Sequence, residues 1–107
     1  MEQLLKLERR PTAVVASNDL TAIGVMRAID AAGGRVPQEM SVVGFDDIWL
    51  ARYTHPPLTT VQLSRTELGQ RAFYALAPEA GHGSAPEDDQ PVTTQLIVRE
   101  STRRIDS

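Results

Sequence analysis

The apolar and β-branched residues of this chain are concentrated in four short segments, at residues 12–17, 41–45, 58–61 and 92–100. The first two are continuous apolar runs, which are typical of strands covered on both faces in a parallel sheet. The pattern therefore predicts four strands. A helix-length segment separates the first two, and this strand–helix–strand order predicts a parallel pair with a right-handed crossover.

Residues 18–34 follow the first strand and carry apolar residues at helical spacing. Asn18 or Asp19 can cap the start of this helix, and Gly33 with Gly34 can end it. One apolar stripe comprises Ala22, Val25, Met26 and Ile29, and a second comprises Leu20, Ile23 and Arg27. The first stripe can cover the sheet. The second is either a wider part of the same core face or a contact surface for another element or subunit.

Further elements are predicted on either side of this unit. Residues 2–10 form a short helix, and another helix starts at Ser64. Glu67 lies three residues after Ser64, which is the spacing of a capping box. Residues 77–91 are rich in Gly, Pro, Ala and acidic residues, and they predict a mobile surface loop. The polar tail from Ser101 is predicted to fray.

Composition narrows the class of protein. The chain has 107 residues, of which 41% are hydrophobic, and this predicts one globular domain or part of one. The formal net charge of −3 does not provide the basic surface that nucleic-acid binding needs. There is no cysteine, which excludes disulfides and thiolate metal sites. No segment approaches the roughly 20 apolar residues of a membrane span, and the first ten residues do not resemble a secretory signal.

Polar side chains directly follow the first two predicted strands. Ser17, Asn18 and Asp19 follow the first strand, and Asp46 and Asp47 follow the second. Ligands of open α/β sheets bind outside the carboxyl ends of the parallel strands, so both clusters are candidates for one binding site. Carboxylates accept hydroxyl hydrogens and an asparagine amide both donates and accepts, which suits a sugar or a nucleoside. A structural interpretation stays open, in which Asn18 or Asp19 only caps the helix and Asp47 is a solvated turn residue.

Other kinds of site have less support. His55 and His82 are far apart in sequence, so a metal site is not expected. No serine has a nucleophile-elbow context, and no Gly-rich phosphate motif occurs. Asp46 and Asp47 could hold Mg²⁺ for phosphoryl chemistry, but such a site also needs a late lysine, and the only lysine is Lys6. We therefore predict no enzymatic activity, no metal and no cofactor, and keep Mg²⁺-assisted phosphoryl chemistry as the enzymatic alternative.

Several segments taken together resemble a known family. SND followed by AIG occupies residues 17–24, SVVGFDD occupies residues 41–47, and PPLTTV occupies residues 56–61. In this order and spacing they resemble the C-terminal part of the lactose-repressor (LacI/GalR) family of bacterial transcription regulators. The resemblance covers residues 10–76 and resumes weakly at residues 95–101.

The resemblance implies a fold and a function. Members of the family join a helix-turn-helix headpiece to a two-lobed effector domain that is similar to periplasmic sugar-binding proteins. A small molecule binds between the lobes and shifts the affinity for operator DNA. Asn18 matches the family's strand-end Asn, and Asp46 matches the first Asp of its G-[FY]-D-D motif, so both are expected to bind an effector, here a sugar. The residues that match the family's dimer contacts are Leu20, Ile23, Arg27, Ile48, Trp49, Leu50 and Tyr53.

The sequence departs from the family's pattern in two respects. Many members have a polar residue, often Gln, where this chain has Leu63, and the headpiece, the hinge and nearly all of the N-terminal lobe have no counterpart here. The expected fold is therefore α/β, an incomplete type I periplasmic-binding-protein-like domain with a parallel sheet and flanking helices. Residues 1–62 are expected to form part of the C-terminal lobe. Residues 63–107 are expected to supply a crossover helix, a loop and a strand that pack on the N-terminal lobe.

The expected function is the effector-binding and dimerising part of a cytoplasmic transcription regulator. It would form a homodimer and would reach operator DNA only through a headpiece that this sequence lacks. The alternative is part of a periplasmic sugar-binding transport protein. A helix-turn-helix encoded upstream would favour the regulator, and a secretory signal there would favour the transport protein.

Overall fold

A computed structural model describes residues 1–77 and 91–106, and in this part of the chain strands and helices alternate. In order, the elements are α1 (Glu2–Leu5), β1 (Ala13–Val15), α2 (Asp19–Ala31), β2 (Ser41–Val43), a 3₁₀ helix (Trp49–Arg52), β3 (Thr60–Leu63), α3 (Arg65–Leu76) and β4 (Thr94–Ile97). This order agrees with the predicted α/β class. The first helix is shorter than predicted, and most of the loop predicted at residues 77–91 lies outside the described residues.

The strands of the N-terminal half are parallel, as predicted. β1 pairs with β2 in the register Val14 to Val42, and an isolated parallel bridge joins Val43 to Thr59, just before β3. The carbonyl oxygen of Thr59 also accepts the N–H of Gly44 at 2.9 Å. β2 therefore has a parallel neighbour on each side, and the carboxyl ends of these segments point the same way.

Helix α2 covers this sheet with the apolar stripe that the sequence predicts. Ala22, Met26 and Ile29 are buried in a core that also contains Val42 and Leu58. At its start, the side chain of Asn18 accepts the N–H of Thr21 at 2.8 Å. At its end, the backbone N–H of Gly34 donates to Ile29 at 2.9 Å, and Gly33 takes a φ of 80° that suits glycine.

Two expectations about burial are wrong. β1 is not covered on both faces, because Val15 remains 78% exposed and no described element packs over it. The C-terminal tail does not fray at Ser101, which is fully buried. The hydroxyl of Ser101 donates to the carbonyl oxygen of Val42 at 2.6 Å and accepts the N–H of Thr59 at 2.8 Å. The tail is ordered because it supplies partners to backbone groups that would otherwise be buried without them.

The chain forms two compact units. The first consists of Met1–Gln62 and the segment from Leu96, and the second is Leu63–Gln95. In this division the segment from Leu96 belongs with the first unit, whereas the sequence analysis grouped residues 63–107 together. α3 lies in the second unit, and Ser64 caps it by accepting the N–H of Glu67 at 3.2 Å, as the capping-box spacing predicts. No helix within residues 1–77 or 91–106 is both long and apolar enough to cross a membrane.

Candidate functional site

The polar residues at the carboxyl ends of β1 and β2 lie at one end of the sheet, and we call residues 17–19 and 46–48 the rim. Pairing continues past the strands, because the N–H of Asp19 donates to the carbonyl oxygen of Phe45 at 2.9 Å. Beyond Phe45, the N–H of Asp46 donates to Val61 at 2.9 Å. Asn18 and Asp46 are thus at the same end of neighbouring parallel strands, which is where ligands of such sheets bind.

Asn18 has a structural role and retains some hydrogen-bonding capacity. Its Oδ1 atom accepts the N–H of Thr21, so it is the N-cap of α2. Within residues 1–77 and 91–106, no acceptor for its side-chain NH₂ group is present. An N-cap of this kind still presents two N–H donors, which a ligand oxygen can accept.

The backbone at Asp46 and Asp47 is unusual. Their φ angles are 115° and 51°, a region that residues with a side chain rarely occupy. Such conformations cost on the order of 1–3 kcal/mol each and persist only where surrounding contacts hold them. Aspartate tolerates the left-handed region better than most residues, because its short polar side chain can hydrogen-bond locally.

Asp47 is one of the two residues whose side chains hold this turn. It is therefore not a solvated turn residue, which was one interpretation of the sequence. Its side chain is only 4% exposed, and its Oδ1 atom accepts Nη2 of Arg99 at 2.7 Å. Its Oδ2 atom accepts Nε2 of Gln62 at 3.1 Å. A carboxylate taken out of water needs such partners, and here both of its oxygens have them.

Asp19 is the second residue that holds this turn, whereas the sequence predicts for it either a helix cap or a place in the candidate ligand-binding cluster. It is fully buried, its Oδ1 atom accepts the hydroxyl of Thr60 at 2.5 Å, and its Oδ2 atom accepts the N–H of Ile48 at 2.8 Å. A Cβ atom on Gly44 would overlap the Asp19 carboxylate. Gly44 inside an apolar strand run is the sequence signal for this approach, since an interior glycine often marks close contact with the strand.

Asp46 differs from its two acidic neighbours. Its backbone N–H is bonded to Val61, but in the described part of the chain its carboxylate makes no hydrogen bond or ion pair. It is half-buried, whereas Asp19 and Asp47 are buried. The rim therefore combines two carboxylates that the fold uses with one whose hydrogen-bonding capacity is open to a ligand.

The residues expected at a dimer interface are mostly accessible in the single chain. Leu20 is 67% exposed, Trp49 is 73% exposed and Tyr53 is 69% exposed, and the rings of Trp49 and Tyr53 lie 6.0 Å apart. Arg27 is exposed, and Ile23 and Leu50 are half-buried. Ile48 instead packs against the hydrophobic core. Large exposed apolar side chains such as these are often found at interaction sites.

A cleft of about 840 Å³ lies away from the rim. Residues of α2 line it, together with segments that precede β2 and β3, including Ile23, Arg27, Pro37 and His55. These segments lie at the amino ends of the strands, whereas the rim lies at the carboxyl ends. Among the described residues, no three His, Cys, Asp or Glu side chains are grouped so that they could hold a metal ion.

The sequence matches a known family of domains and several known proteins. Residues 1–102 match the family model of a periplasmic binding protein-like domain. The HTH-type transcriptional repressor PurR of Mannheimia succiniciproducens is 40% identical over 105 residues, which is 98% of this chain and 31% of that protein. The chain therefore spans about a third of the length of the curated relatives that it matches.

Solved structures show the same fold. A sugar-binding transcriptional regulator (LacI family) from Escherichia coli, complexed with phosphate, has a TM-score of 0.78 at 39% identity and covers 94% of this chain and 36% of its own. A LacI family transcriptional regulator from Lactobacillus casei with bound sucrose has a TM-score of 0.75 at 31% identity, covering 94% and 38%. The fold is periplasmic-binding-protein-like, α/β with a parallel sheet, and this chain covers part of it.

Proposed function

Since the chain belongs to the lactose-repressor (LacI/GalR) family, we propose that it is the effector-binding and dimerising part of a cytoplasmic transcription regulator. The DNA-binding headpiece of that regulator is carried by another part of the whole protein. The 107 residues themselves do not bind operator DNA, because a net charge of −3 gives little counterion release. A mobility shift with this chain alone that persists at physiological salt would contradict this point.

The effector binds at the rim, where Asn18 and Asp46 contribute one side of its site. The observation that carries this proposal is the hydrogen-bonding capacity left open on both residues at the ends of neighbouring parallel strands. Amide N–H groups and a carboxylate together match the hydroxyl groups of a sugar. Two of the structural relatives are described as sugar-binding or as having bound sucrose, which supports the same chemical class. The other side of the site belongs to the second lobe of the whole protein.

Calorimetry on the whole regulator tests the effector site. Glucose, lactose, sucrose, adenosine and cytidine are titrated first, and the compound that binds most tightly is used with the variants. Asp46→Ala is expected to weaken its binding by about 1.5–3 kcal/mol, because a hydrogen bond to a charged group is lost. Asn18→Asp keeps an N-cap acceptor and removes the NH₂ donor, so we expect weaker binding at unchanged stability. Asp30→Ala, on the exposed face of α2, is the control, and equal affinity of the Asp46 and Asp30 variants would refute the role of Asp46.

Dimerisation uses the surface formed by Leu20, Ile23, Arg27, Trp49, Leu50 and Tyr53. Its support is the exposure of Leu20, Trp49 and Tyr53, since burying such side chains is worth about 1.5–3 kcal/mol each. Sedimentation of the 107-residue chain at micromolar concentration is expected to show a dimer. The Leu20→Asp variant is expected to be monomeric and still folded, because Leu20 already contacts solvent in the single chain. Leu76→Asp on α3 is the matched control for association through the other exposed apolar surface. A dimer that survives Leu20→Asp but not Leu76→Asp would move the interface to α3.

A transport protein of the periplasmic sugar-binding class is the second candidate, because the matching family model describes a periplasmic binding protein-like domain. The curated relatives favour the regulator, since they are transcriptional repressors. The reading frame upstream of Met1 separates the two candidates. A helix-turn-helix there would support the regulator, and a secretory signal would support the transport protein.

A further inference from the structure

We propose that Arg99 is a positioning residue for effector binding, which holds Asp47 and thereby keeps Asp46 in the conformation that meets the effector. The inference rests on the effector site proposed above and names a residue from the far end of the chain that acts on it. Arg99 does not itself contact the effector. Its action passes through the Asp47 side chain and the backbone of the rim.

The contacts of Arg99 connect the C-terminal segment to the rim. Its Nη2 atom donates to Oδ1 of Asp47 at 2.7 Å, and its Nη1 atom donates to the carbonyl oxygen of Leu58 at 2.8 Å. Its backbone N–H donates to Oγ1 of Thr59 at 2.9 Å. The Arg99 side chain is 14% exposed. A charge-assisted hydrogen bond in so protected a place is stronger than a pair in water.

Asp47 is held from more than one direction. Besides Arg99, it accepts a hydrogen bond from Gln62 at 3.1 Å, and its own N–H donates to Oγ1 of Thr60 at 3.4 Å. The hydroxyl of Thr60 in turn donates to the buried carboxylate of Asp19. Asp47 therefore belongs to a polar network that spans four separate segments of the sequence. Removing Arg99 would take away the ion pair that it makes with the buried Asp47 carboxylate at 2.7 Å.

Apart from the bond of its backbone N–H to Val61, the conformation of Asp46 depends on this network, because no described group holds its side chain. Its φ of 115° is followed by the φ of 51° at Asp47, so the two residues form a single turn. A turn with two positive φ angles relaxes toward ordinary conformations unless its neighbours hold it. When Asp47 moves, the peptide that it shares with Asp46 moves as well, and the Asp46 carboxylate leaves its place at the rim.

A different role for Arg99 would be to hold the segment before β3 through Leu58 and Thr59. In that case its removal would disturb residues 58–60 and lower the stability, with no specific effect at the rim. The two roles predict changes at different backbone amides. The N–H groups of Asp46 and Ile48 report on the rim through their bonds to Val61 and Asp19.

The experiment is amide hydrogen exchange on the whole regulator, well below its unfolding temperature, with four single variants and the double variant that combines Arg99→Gln with Asp47→Asn. Arg99→Gln removes both side-chain contacts, and Asp47→Asn removes the counter-charge but leaves the bond from Arg99 to Leu58. Arg99→Lys keeps the charge and is the conservative rescue. Arg104→Gln removes an exposed arginine five residues further on and is the matched control.

Arg99→Gln and Asp47→Asn are both expected to speed exchange at residues 46–48 by about tenfold, the equivalent of one charge-assisted hydrogen bond. Arg99→Lys is expected to restore part of the protection, and Arg104→Gln to match the wild type. Amides of α2 after its first turn stay unchanged in every variant. The double variant is expected to add little to either single one, because both remove the same interaction. Changes confined to residues 58–60, or equal exchange at the rim in Arg99→Gln and Arg104→Gln, would overturn the positioning role.

Affinity provides the second measurement, with glucose, lactose, sucrose, adenosine and cytidine as probes. Arg99→Gln is expected to weaken the probe that binds the wild type best by about tenfold, while the protein remains folded. Wild-type affinity in a variant with a loosened rim would also overturn the proposal. A different result is expected if the proposed effector site itself is wrong. In that case the Asp46→Ala variant binds the probe normally, while Arg99→Gln still speeds amide exchange at the rim.

Discussion

Helices α2 and α3 are alike in length and in how they begin, but they differ in what they bury. α2 has 13 residues and α3 has 12, and a polar side chain caps the first turn of each. α2 buries three apolar side chains against the sheet, whereas α3 has no buried residue. In α3, Leu68 is 46% exposed, Phe73 54% and Leu76 87%.

Local sequence is enough to start each helix with a cap, but only α2 gains stability by packing an apolar face against the sheet. The cap of α3 is supplemented by an ion pair between Glu67 and Arg71 at 2.7 Å and by a bond from the N–H of Thr93 to Glu67 at 3.3 Å. These contacts satisfy the first turn but bury little apolar area. Most helical stability in proteins comes from packing an apolar face, so α3 is expected to be the weaker of the two. We propose that in the whole regulator the second lobe covers its apolar face.

The largest difference between the two helices is expected when one apolar side chain on each is truncated. Ile29→Ala in α2 is expected to cost about 3 kcal/mol, because Ile29 is 2% exposed and its loss leaves a cavity. Leu76→Ala in α3 is expected to change the free energy of unfolding by less than about 0.5 kcal/mol. Urea unfolding followed by circular dichroism measures both. Equal costs would show that α3 is packed in solution in a way that the structure does not contain.

A second test replaces the acidic residue in the first turn of each helix. Asp19→Ala is expected to cost about 3 kcal/mol, since it leaves the Thr60 hydroxyl and the Ile48 N–H buried without an acceptor. Glu67→Ala is expected to cost about 1 kcal/mol or less, because its ion pair with Arg71 is partly exposed. The same denaturation measurement applies. A small effect of Asp19→Ala would mean that water replaces the lost acceptor.

The smallest expected effect comes from replacing one exposed glycine with alanine in each helix. Gly24 in α2 and Gly69 in α3 are exposed, and a Cβ atom on either would meet nothing within 4 Å. Alanine at each position is expected to stabilise its helix by about 0.5–1 kcal/mol through helix propensity. Gly24→Ala should raise the global unfolding free energy, and Gly69→Ala should slow amide exchange only within α3. A global gain from Gly69→Ala would show that the two helices unfold together.

Much of the first unit could be predicted from local sequence. The apolar runs gave the parallel pair β1 and β2, and helical spacing identified the stripe of α2 that packs on them. The cap at Asn18 and the end at Gly33 follow from side-chain and backbone preferences that need no knowledge of the fold. For the same reason the rim was found, since the carboxyl ends of adjacent parallel strands must lie together.

The roles of the individual carboxylates could not be assigned in this way. Asp47 was considered as a solvated turn residue, but its partner Arg99 lies 52 positions further along the chain. For Asp19 the sequence predicts a cap or a place in the ligand-binding cluster, but Thr60, which it binds, is 41 positions away. Strand pairing creates both contacts, and no local pattern around an acidic residue encodes them. Gly44 was the one local sign that a side chain approaches β2 closely.

The sequence also predicts apolar surfaces without showing what covers them. Val15 and Leu76 follow patterns of buried residues, yet both are more than three-quarters exposed, at 78% and 87%. Hydrophobic periodicity identifies a face that favours burial, and burial requires a partner surface as well. For these two residues, the described part of the chain contains no such partner.

The anchoring of Ser101 determines how far the 107-residue chain can be shortened from its last residue. Carboxypeptidase digestion of this chain that removes exposed residues such as Ile105 and Arg104 uncovers little of the core. Digestion past Ser101 would remove the partners of the N–H and carbonyl oxygen of Val42 and of the N–H of Thr59. Since Val42 belongs to the central strand, the protein should tolerate trimming by a few residues and then become fully digestible over a single further position.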